Sequence, residues 1–185
     1  MKLPKVFLVV SFTFALSICA AKAGEFPDNW TWDRSPEARA AHAALEGKPM
    51  PSLADISGWI NGEVKPEDLK GKVVVVDFYA TWCGPCMAAI PHNKEMLKQN
   101  KDKGLVIVGV CTSGRGQEKF AANAKEHGLD YPAATDPGQK ASKAWDVHYF
   151  PTYAIVDRKG IVRAVGVQTS HVEAVVQKLL AEPAS

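Results

Sequence analysis

Two cysteines separated by two residues, Cys83 and Cys86, have the spacing that thiol–disulfide exchange requires. A thiolate at the first position can attack a substrate disulfide, and the second thiol can then resolve the mixed disulfide without rearrangement of the backbone. The apolar run 73–80 just before the pair predicts a buried strand, and the residues after it predict a helix. Between a strand and a helix, a Cys-x-x-Cys motif is typical of redox chemistry rather than of metal binding.

Cys83 is the predicted nucleophile of the pair. It falls at the N-terminus of the predicted helix, where unpaired N–H groups and the helix dipole stabilise a thiolate, whereas Cys86 lies one turn further in. Gly84 and Pro85 stand between them. The proline removes one backbone donor and fixes φ in the first turn, where proline is tolerated. A disulfide between the two cysteines would close within one turn of the chain.

A zinc site is the alternative interpretation of a Cys-x-x-Cys pair. Zinc needs about four ligands, usually supplied by a second such pair or by two histidines. After residue 23, the sequence offers only Cys111 as a further cysteine, and no two histidines stand four residues apart. We therefore expect no metal. Cys111 ends a second apolar run and is either a third redox thiol or a small core residue, and we favour the core.

The first 23 residues have the pattern of a secretion signal. A basic start over 1–5 precedes an apolar run over 6–18, and Ala21-Lys22-Ala23 offers an Ala-x-Ala cleavage site. The apolar run is short for a membrane span, although an uncleaved anchor is the main alternative, and only then would the chain contact a membrane. Lipidation at Cys19 is not expected, because Ile18 rather than a small residue precedes it.

Cleavage after Ala23 would change the charge balance of the chain. The formal net charge is +2, and the signal contains three lysines and no acid, so the remaining 162 residues carry −1. That balance does not indicate nucleic-acid binding. An exported Cys-x-x-Cys protein, periplasmic or extracellular, oxidises unless an upstream thiol donor reduces it.

The residues after the signal divide into an extension over 24–48 and a main domain over 49–185. Ser35 followed by Pro36 predicts the start of a short helix in the extension. In the main domain, an Asn-Gly pair predicts a tight hairpin over 59–64. The remaining pattern predicts strands at 73–79, 105–110, 131–135, 153–157 and 161–165, and helices at 86–101, 117–127, 136–145 and from Ser170, with Glu173 in capping-box spacing.

This alternation of strands and helices predicts an α/β fold. Parallel crossovers would form the centre of the sheet, an antiparallel hairpin would form one edge, and helices would cover both faces. In such sheets chemistry gathers at the C-terminal ends of the parallel strands, and Cys83 and Cys86 follow one such end.

The sequence resembles the thioredoxin-fold, secreted or membrane-tethered TlpA/ResA-like thiol–disulfide oxidoreductases of the redoxin superfamily. The similarity spans about residues 48–181 and is carried by residues 75–86, by Pro91 and by the Phe-Pro-Thr within 147–152. It implies a three-layer α/β/α sandwich with a central mixed sheet, an N-terminal hairpin and an inserted helix–strand segment over 117–135. The extension 24–48 has no clear counterpart in that family.

The resemblance also implies roles for single residues. Pro151 would be the cis-proline that faces the cysteines and pairs its peptide with the substrate backbone, and Phe150 precedes it. Trp82 beside the nucleophile would shield the thiolate and contact substrate, together with Gly84 and Pro85. No cofactor is implied.

Asp77 interrupts an otherwise apolar strand. A carboxyl group buried there should have a raised pKa. In thioredoxins the aspartate at this place assists proton transfer at the second cysteine, and we favour that role over an aspartate on the polar side of a half-exposed strand.

Three functions compete. The favoured one is an exported oxidoreductase that reduces protein disulfides, because Gly84-Pro85 resembles the reducing thioredoxin dipeptide. A thiol peroxidase would need a threonine three residues before its reactive cysteine, where Ala80 stands before Cys83. A non-catalytic module that binds extended chains in the groove near Pro151 is the third, and the intact cysteine pair argues against it.

Overall fold

A six-stranded mixed sheet lies at the centre of residues 25–183, the part of the chain that the computed structural model describes. Along the sheet the strands follow the order β1-β4-β3-β2-β5-β6. β2, β3 and β4 are parallel, whereas β1, β5 and β6 pair antiparallel with their neighbours. The strands are β1 (Ser57–Ile60), β2 (Val73–Tyr79), β3 (Leu105–Cys111), β4 (Ala133–Thr135), β5 (Thr152–Val156) and β6 (Val162–Val167).

Helices cover both faces of this sheet, as predicted. They are α1 (Pro36–Ala43), α2 (Gly84–Asn100), α3 (Phe120–Glu126), α4 (Lys140–Ala144) and α5 (Thr169–Leu180). Buried residues of α2, α3 and α5 join the apolar cluster on one face, and Ala141 of α4 joins the cluster on the other. The fold is the thioredoxin-like three-layer arrangement, with α3 and β4 forming the inserted segment.

The β2 strand positions the redox site because both of its faces are buried. Successive side chains of a strand point to opposite faces. Val73, Val75 and Tyr79 accordingly join one apolar cluster, whereas Val74, Val76 and Phe78 join the other. The same alternation puts Asp77 on the Val75 side, and this face is also the one to which Cys83 and Cys86 belong.

The prediction of a hairpin over 59–64 is wrong. β1 pairs with β4 rather than with the residues that follow it. Asn61 and Gly62 do adopt positive φ values, 58° and 106°, as in a tight turn. The Asn61 side chain, however, donates hydrogen bonds to the carbonyl oxygens of Leu129 (2.9 Å) and Tyr131 (3.1 Å). The turn therefore ties β1 to the segment before β4 instead of returning the chain along β1.

Two helix starts also differ from the prediction. α5 begins at Thr169 with Gln168 as its N-cap, so Ser170 lies inside the helix and forms no capping box. The helix predicted from Asp136 begins only at Lys140. The buried Asp136 carboxylate accepts hydrogen bonds from the backbone N–H groups of Ala141 and Ser142, which places it ahead of the helix rather than in it.

Residues 25–48 pack along β6. Ser35 caps α1 as predicted, its side chain accepting a hydrogen bond from the backbone N–H of Ala38. The backbone N–H of Trp32 donates to Gly166 O (2.9 Å), and that of Gly47 donates to Val162 O (2.8 Å). The predicted signal peptide over 1–23 lies outside the described residues, among which no helix is long and apolar enough to cross a membrane.

Gly166 of β6 permits residues 25–48 to lie close against this strand. We therefore expect Gly166→Ala to destabilise the protein strongly. Its φ is 76°, and an added Cβ would lie 2.6 Å from the Tyr149 hydroxyl and 2.7 Å from His42 Nδ1. Gly160 is a matched control, since it has the same φ but no described atom within 4 Å of the added Cβ. We expect Gly160→Ala to cost about 1–2 kcal/mol through backbone strain. Overpacking should add about 1–3 kcal/mol in Gly166→Ala, as measured by denaturant unfolding.

Equal losses of unfolding free energy in the two glycine variants would contradict this account, because strain alone would then explain both. A larger loss in the β6 variant supports the packing of residues 25–48 against that strand.

Candidate redox site

The two cysteines of the motif form a disulfide at the start of α2. Cys83 and Cys86 have Cα atoms 5.2 Å apart, and each residue is only 4% exposed. Cys83 is the N-cap of α2 in an extended backbone conformation, and its Sγ accepts a hydrogen bond from the Cys86 N–H at 3.2 Å. The first cysteine therefore has the helix N-terminal position that the sequence predicts.

Position on the helix, rather than exposure, distinguishes the two sulfurs. Cys86 lies one turn further into α2 than Cys83, yet the two cysteines are equally buried. Only Cys83 receives a backbone N–H of the first turn at its sulfur. That hydrogen bond and the N-terminal end of the helix dipole would stabilise a thiolate at Cys83 when the pair is reduced.

Aromatic and proline side chains form the rim of the site. Trp82 is half exposed, and its ring lies edge-on to that of Phe150, with 5.7 Å between the centroids. The Phe150–Pro151 peptide is cis. Gly84 and Pro85 are exposed in the first turn of α2. Pro85, Tyr149, Phe150 and Pro151 line one open groove, so the structure brings the two prolines of the predicted substrate site to the same cavity.

Asp77 lies within a polar network inside the otherwise apolar face. Its Oδ2 accepts hydrogen bonds from Asn93 Nδ2 (3.0 Å) and from the Tyr131 hydroxyl (3.0 Å). Asn93 also donates to the Tyr153 hydroxyl at 3.1 Å. Both tyrosines belong to the buried cluster that contains Cys83 and Cys86. Tyr131 and Tyr153 therefore belong both to the polar network around Asp77 and to the apolar cluster that contains the two cysteines.

Burial raises the pKa of Asp77 to about 7, although the hydrogen bonds from Tyr131 and Asn93 oppose the shift. The residue is 4% exposed, so the predicted burial on β2 is confirmed and the half-exposed alternative is not. Its Oδ1 has no hydrogen-bond partner among the described residues. A carboxyl group with this pKa can bind and release a proton near neutral pH.

Asn93 and Tyr131 were not predicted as site residues. The buried positions of α2 recur every three or four residues, at Cys86, Ile90, Asn93 and Met96, which makes Asn93 the polar member of an apolar stripe. That pattern could have identified it. Arg115, whose guanidinium lies 5.0 Å from the centre of the Trp82 ring, has no such signal, because it comes from a loop after β3.

Cys111 is a free, fully buried thiol at the end of β3. Burial raises its pKa to about 12, so it remains protonated and unreactive at neutral pH. Both observations agree with a core residue. Within residues 25–183, no three histidine, cysteine or acidic side chains come together as a metal site.

The described residues form a thioredoxin-like domain with a cysteine pair at the N-terminus of α2, an arrangement typical of thiol–disulfide chemistry. The family model described as Redoxin matches residues 45–180, and the chain belongs to that family.

Of three similar proteins, two are named for thiol–disulfide chemistry. The chain is 37% identical over 123 residues to protein DipZ of Mycobacterium bovis, covering 62% of this chain but only 18% of DipZ. It is 32% identical over 129 residues to the thiol-disulfide oxidoreductase ResA of Bacillus thuringiensis, covering 66% of this chain and 71% of ResA. The crystal structure of a candidate thiol:disulfide interchange protein DsbE from Chlorobium tepidum superposes with a TM-score of 0.64 at 29% identity, covering 74% of this chain and 96% of that one.

Proposed function

We propose that this protein is an exported dithiol–disulfide oxidoreductase that reduces disulfides of other proteins through Cys83 and Cys86. The observation that supports it most is the Cys83–Cys86 disulfide at a helix N-terminus, beside an open groove lined by Pro85 and Pro151. The relatives named for thiol–disulfide chemistry support the same class.

The proposed reaction proceeds in two exchanges. The Cys83 thiolate attacks one sulfur of the substrate disulfide, forming a mixed disulfide and releasing the other substrate sulfur as a thiolate. Cys86 then loses its proton and attacks the Cys83 sulfur, which closes the Cys83–Cys86 disulfide and releases the second substrate thiolate. Two electrons pass from the cysteine pair to the substrate. An upstream dithiol donor returns them by the same exchange in reverse.

Asp77 is the proposed proton acceptor for Cys86. A carboxylate with a pKa of about 7 can take the thiol proton in the second exchange and give it up to a substrate thiolate or to water. The groove along Phe150 and Pro151 is the proposed path of the substrate backbone, and the Trp82 ring, which packs edge-on against Phe150, is a further proposed substrate contact.

The redox potential of the cysteine pair tests the direction of electron flow. A potential near that of thioredoxin, about −270 mV, is expected for a reductant, whereas about −120 mV would indicate an oxidant and contradict the proposal. A parallel assay follows turnover with a small disulfide and with hydrogen peroxide. We expect reduction of the disulfide only, because Ala80 stands where a peroxidase needs its threonine.

Export is proposed from the signal pattern of residues 1–23. Sequencing the N-terminus of the protein secreted by a bacterial host should give Gly24 as its first residue. Retention of Met1 on a membrane-bound form would instead support the uncleaved anchor.

A further inference from the structure

The N-terminal extension forms one wall of the groove beside the redox disulfide. The groove has a volume of about 530 Å³. Pro85, Phe150 and Pro151 lie on the side of the redox motif, whereas Trp32, Arg34, Ser35 and Ala38 line it from the extension. These four residues precede residue 45, where the family match begins. The wall therefore belongs to a part of this chain that the redoxin similarity does not describe.

A buried polar network fixes this wall against the opposite one. Asp33 Oδ1 lies 2.8 Å from His42 Nδ1 and accepts a hydrogen bond from the Tyr149 hydroxyl at 2.8 Å. His42 Nε2 lies 2.9 Å from the backbone oxygen of Asp146. The side chains of Asp33 and His42 are fully buried. Since Tyr149 directly precedes Phe150, the network joins the extension to the loop that carries Pro151.

The exposed surface of the wall combines an apolar ring with a cation. Trp32 is 43% exposed, and only Trp82 is a comparably exposed large apolar residue in the described part of the chain. Arg34 is exposed and is the one charged residue among the described groove-lining residues. Exposed aromatic surface beside an arginine is typical of protein-binding surfaces. An arginine without an acid in the same groove favours a negatively charged ligand group.

We propose that this groove binds an extended segment of the substrate polypeptide next to its disulfide, with an apolar side chain against Trp32 and an acidic side chain at Arg34. The inference rests on the proposed function, since it names the substrate that the site would prefer. The groove adjoins Pro85 in the turn between the two cysteines. A chain lying in it therefore continues towards Cys83, so Trp32 and Arg34 determine which disulfides are reduced.

The test compares three disulfides as oxidants of the reduced protein. Two are disulfide-linked peptides with a leucine beside the cysteine, identical except that one has glutamate where the other has lysine. The third is hydroxyethyl disulfide, which is too small to fill the groove. We expect the wild-type protein to reduce the acidic peptide about fivefold faster than the basic one, as a single exposed ion pair allows. Arg34→Glu should reverse this preference.

Trp32→Ala should slow both peptides by about tenfold, since it removes the apolar surface on which the leucine packs, and should leave hydroxyethyl disulfide unaffected. Lys48→Glu is the matched control, because it makes the same charge change at an exposed residue of the extension that does not line the groove. It should behave as the wild type. Thermal unfolding of each variant establishes that it is folded at the assay temperature.

Two results would overturn the inference. One is the same acidic-to-basic ratio in the wild type and Arg34→Glu, and the other is equal slowing of all three disulfides by Trp32→Ala. Binding of the same peptides with serine in place of cysteine, followed by fluorescence anisotropy, measures the groove without redox chemistry. Failure to reduce hydroxyethyl disulfide would contradict the proposed function, whereas peptide binding without the Arg34-dependent preference would contradict the groove alone.

Discussion

Replacing Cys86 with serine should stop turnover and trap the protein as a mixed disulfide with its substrate through Cys83. The trap is expected because Cys83 at the N-cap of α2 can still attack, while the thiol that resolves the adduct is missing. The adduct is measured by non-reducing gel electrophoresis and mass spectrometry after mixing the variant with a disulfide-containing protein. Loss of turnover should be complete within the detection limit.

The matching variants distinguish the two cysteines. Cys83→Ser should form no adduct, because the remaining thiol lies one turn inside the helix. Cys111→Ser should retain turnover, since that thiol is buried and has a pKa of about 12. Alkylation of the reduced wild-type protein at mildly acidic pH should label Cys83 before Cys86. Faster labelling of Cys86, or an adduct formed by Cys83→Ser, would assign the nucleophile to the other cysteine.

Asp77→Asn should slow disulfide exchange near pH 7 by about tenfold or more, because it removes a positioned proton acceptor. The wild-type rate should rise with pH around the Asp77 pKa of about 7, and this step should disappear in the variant. Stopped-flow measurement of substrate reduction between about pH 5 and pH 9 gives both profiles. Identical profiles for the two proteins would contradict the role.

Tyr131→Phe tests the hydrogen-bond network around Asp77. Its hydroxyl donates to Asp77 and thereby lowers the pKa of the carboxyl, so its loss should move the step in the rate profile to higher pH. Tyr153→Phe should shift the step less, because that hydroxyl contacts Asn93 rather than Asp77. A purely structural role for the network would change stability in these variants without moving the step.

Asp77→Asn should lower the exchange rate but raise the stability of the protein relative to the wild type as the pH rises. Burial raises the pKa of Asp77 above its unfolded value near 3.8, so the folded state binds the proton more tightly than the unfolded state. Ionisation of the carboxyl therefore costs the folded wild type free energy progressively as the pH rises from about 4 to about 7. Asp77→Asn removes this cost, and its stability relative to the wild type should increase over that range.

The part of the site formed by β2 and the start of α2 could be predicted from local sequence. The β2 strand, the turn and the start of α2 are contiguous, so the apolar run 73–79 and the Cys-x-x-Cys spacing were sufficient to place Cys83 and Asp77. Asn61-Gly62 correctly indicated a tight turn, but a turn signal does not identify the strand that follows it. The amide of Asn61 binds residues about 70 positions away, and no local pattern contains that pairing.

The other wall of the groove could not be predicted for the same reason. Trp32 and Arg34 lie in a polar stretch without periodicity, and contacts between distant residues place them beside Pro151. His42 reaches the backbone of Asp146, 104 positions along the chain. Three-dimensional packing, rather than spacing, makes the extension part of the site.

The N-terminal extension also protects an edge of the sheet. β6 is an outer strand, and an outer strand presents unpaired N–H and C=O groups with which another polypeptide can pair. The extension occupies these groups at both ends of β6, through Trp32 N–H to Gly166 O and through Val162 N–H to Lys48 O. The segment that shapes the groove thereby hinders strand-to-strand association between copies of the protein at the β6 edge.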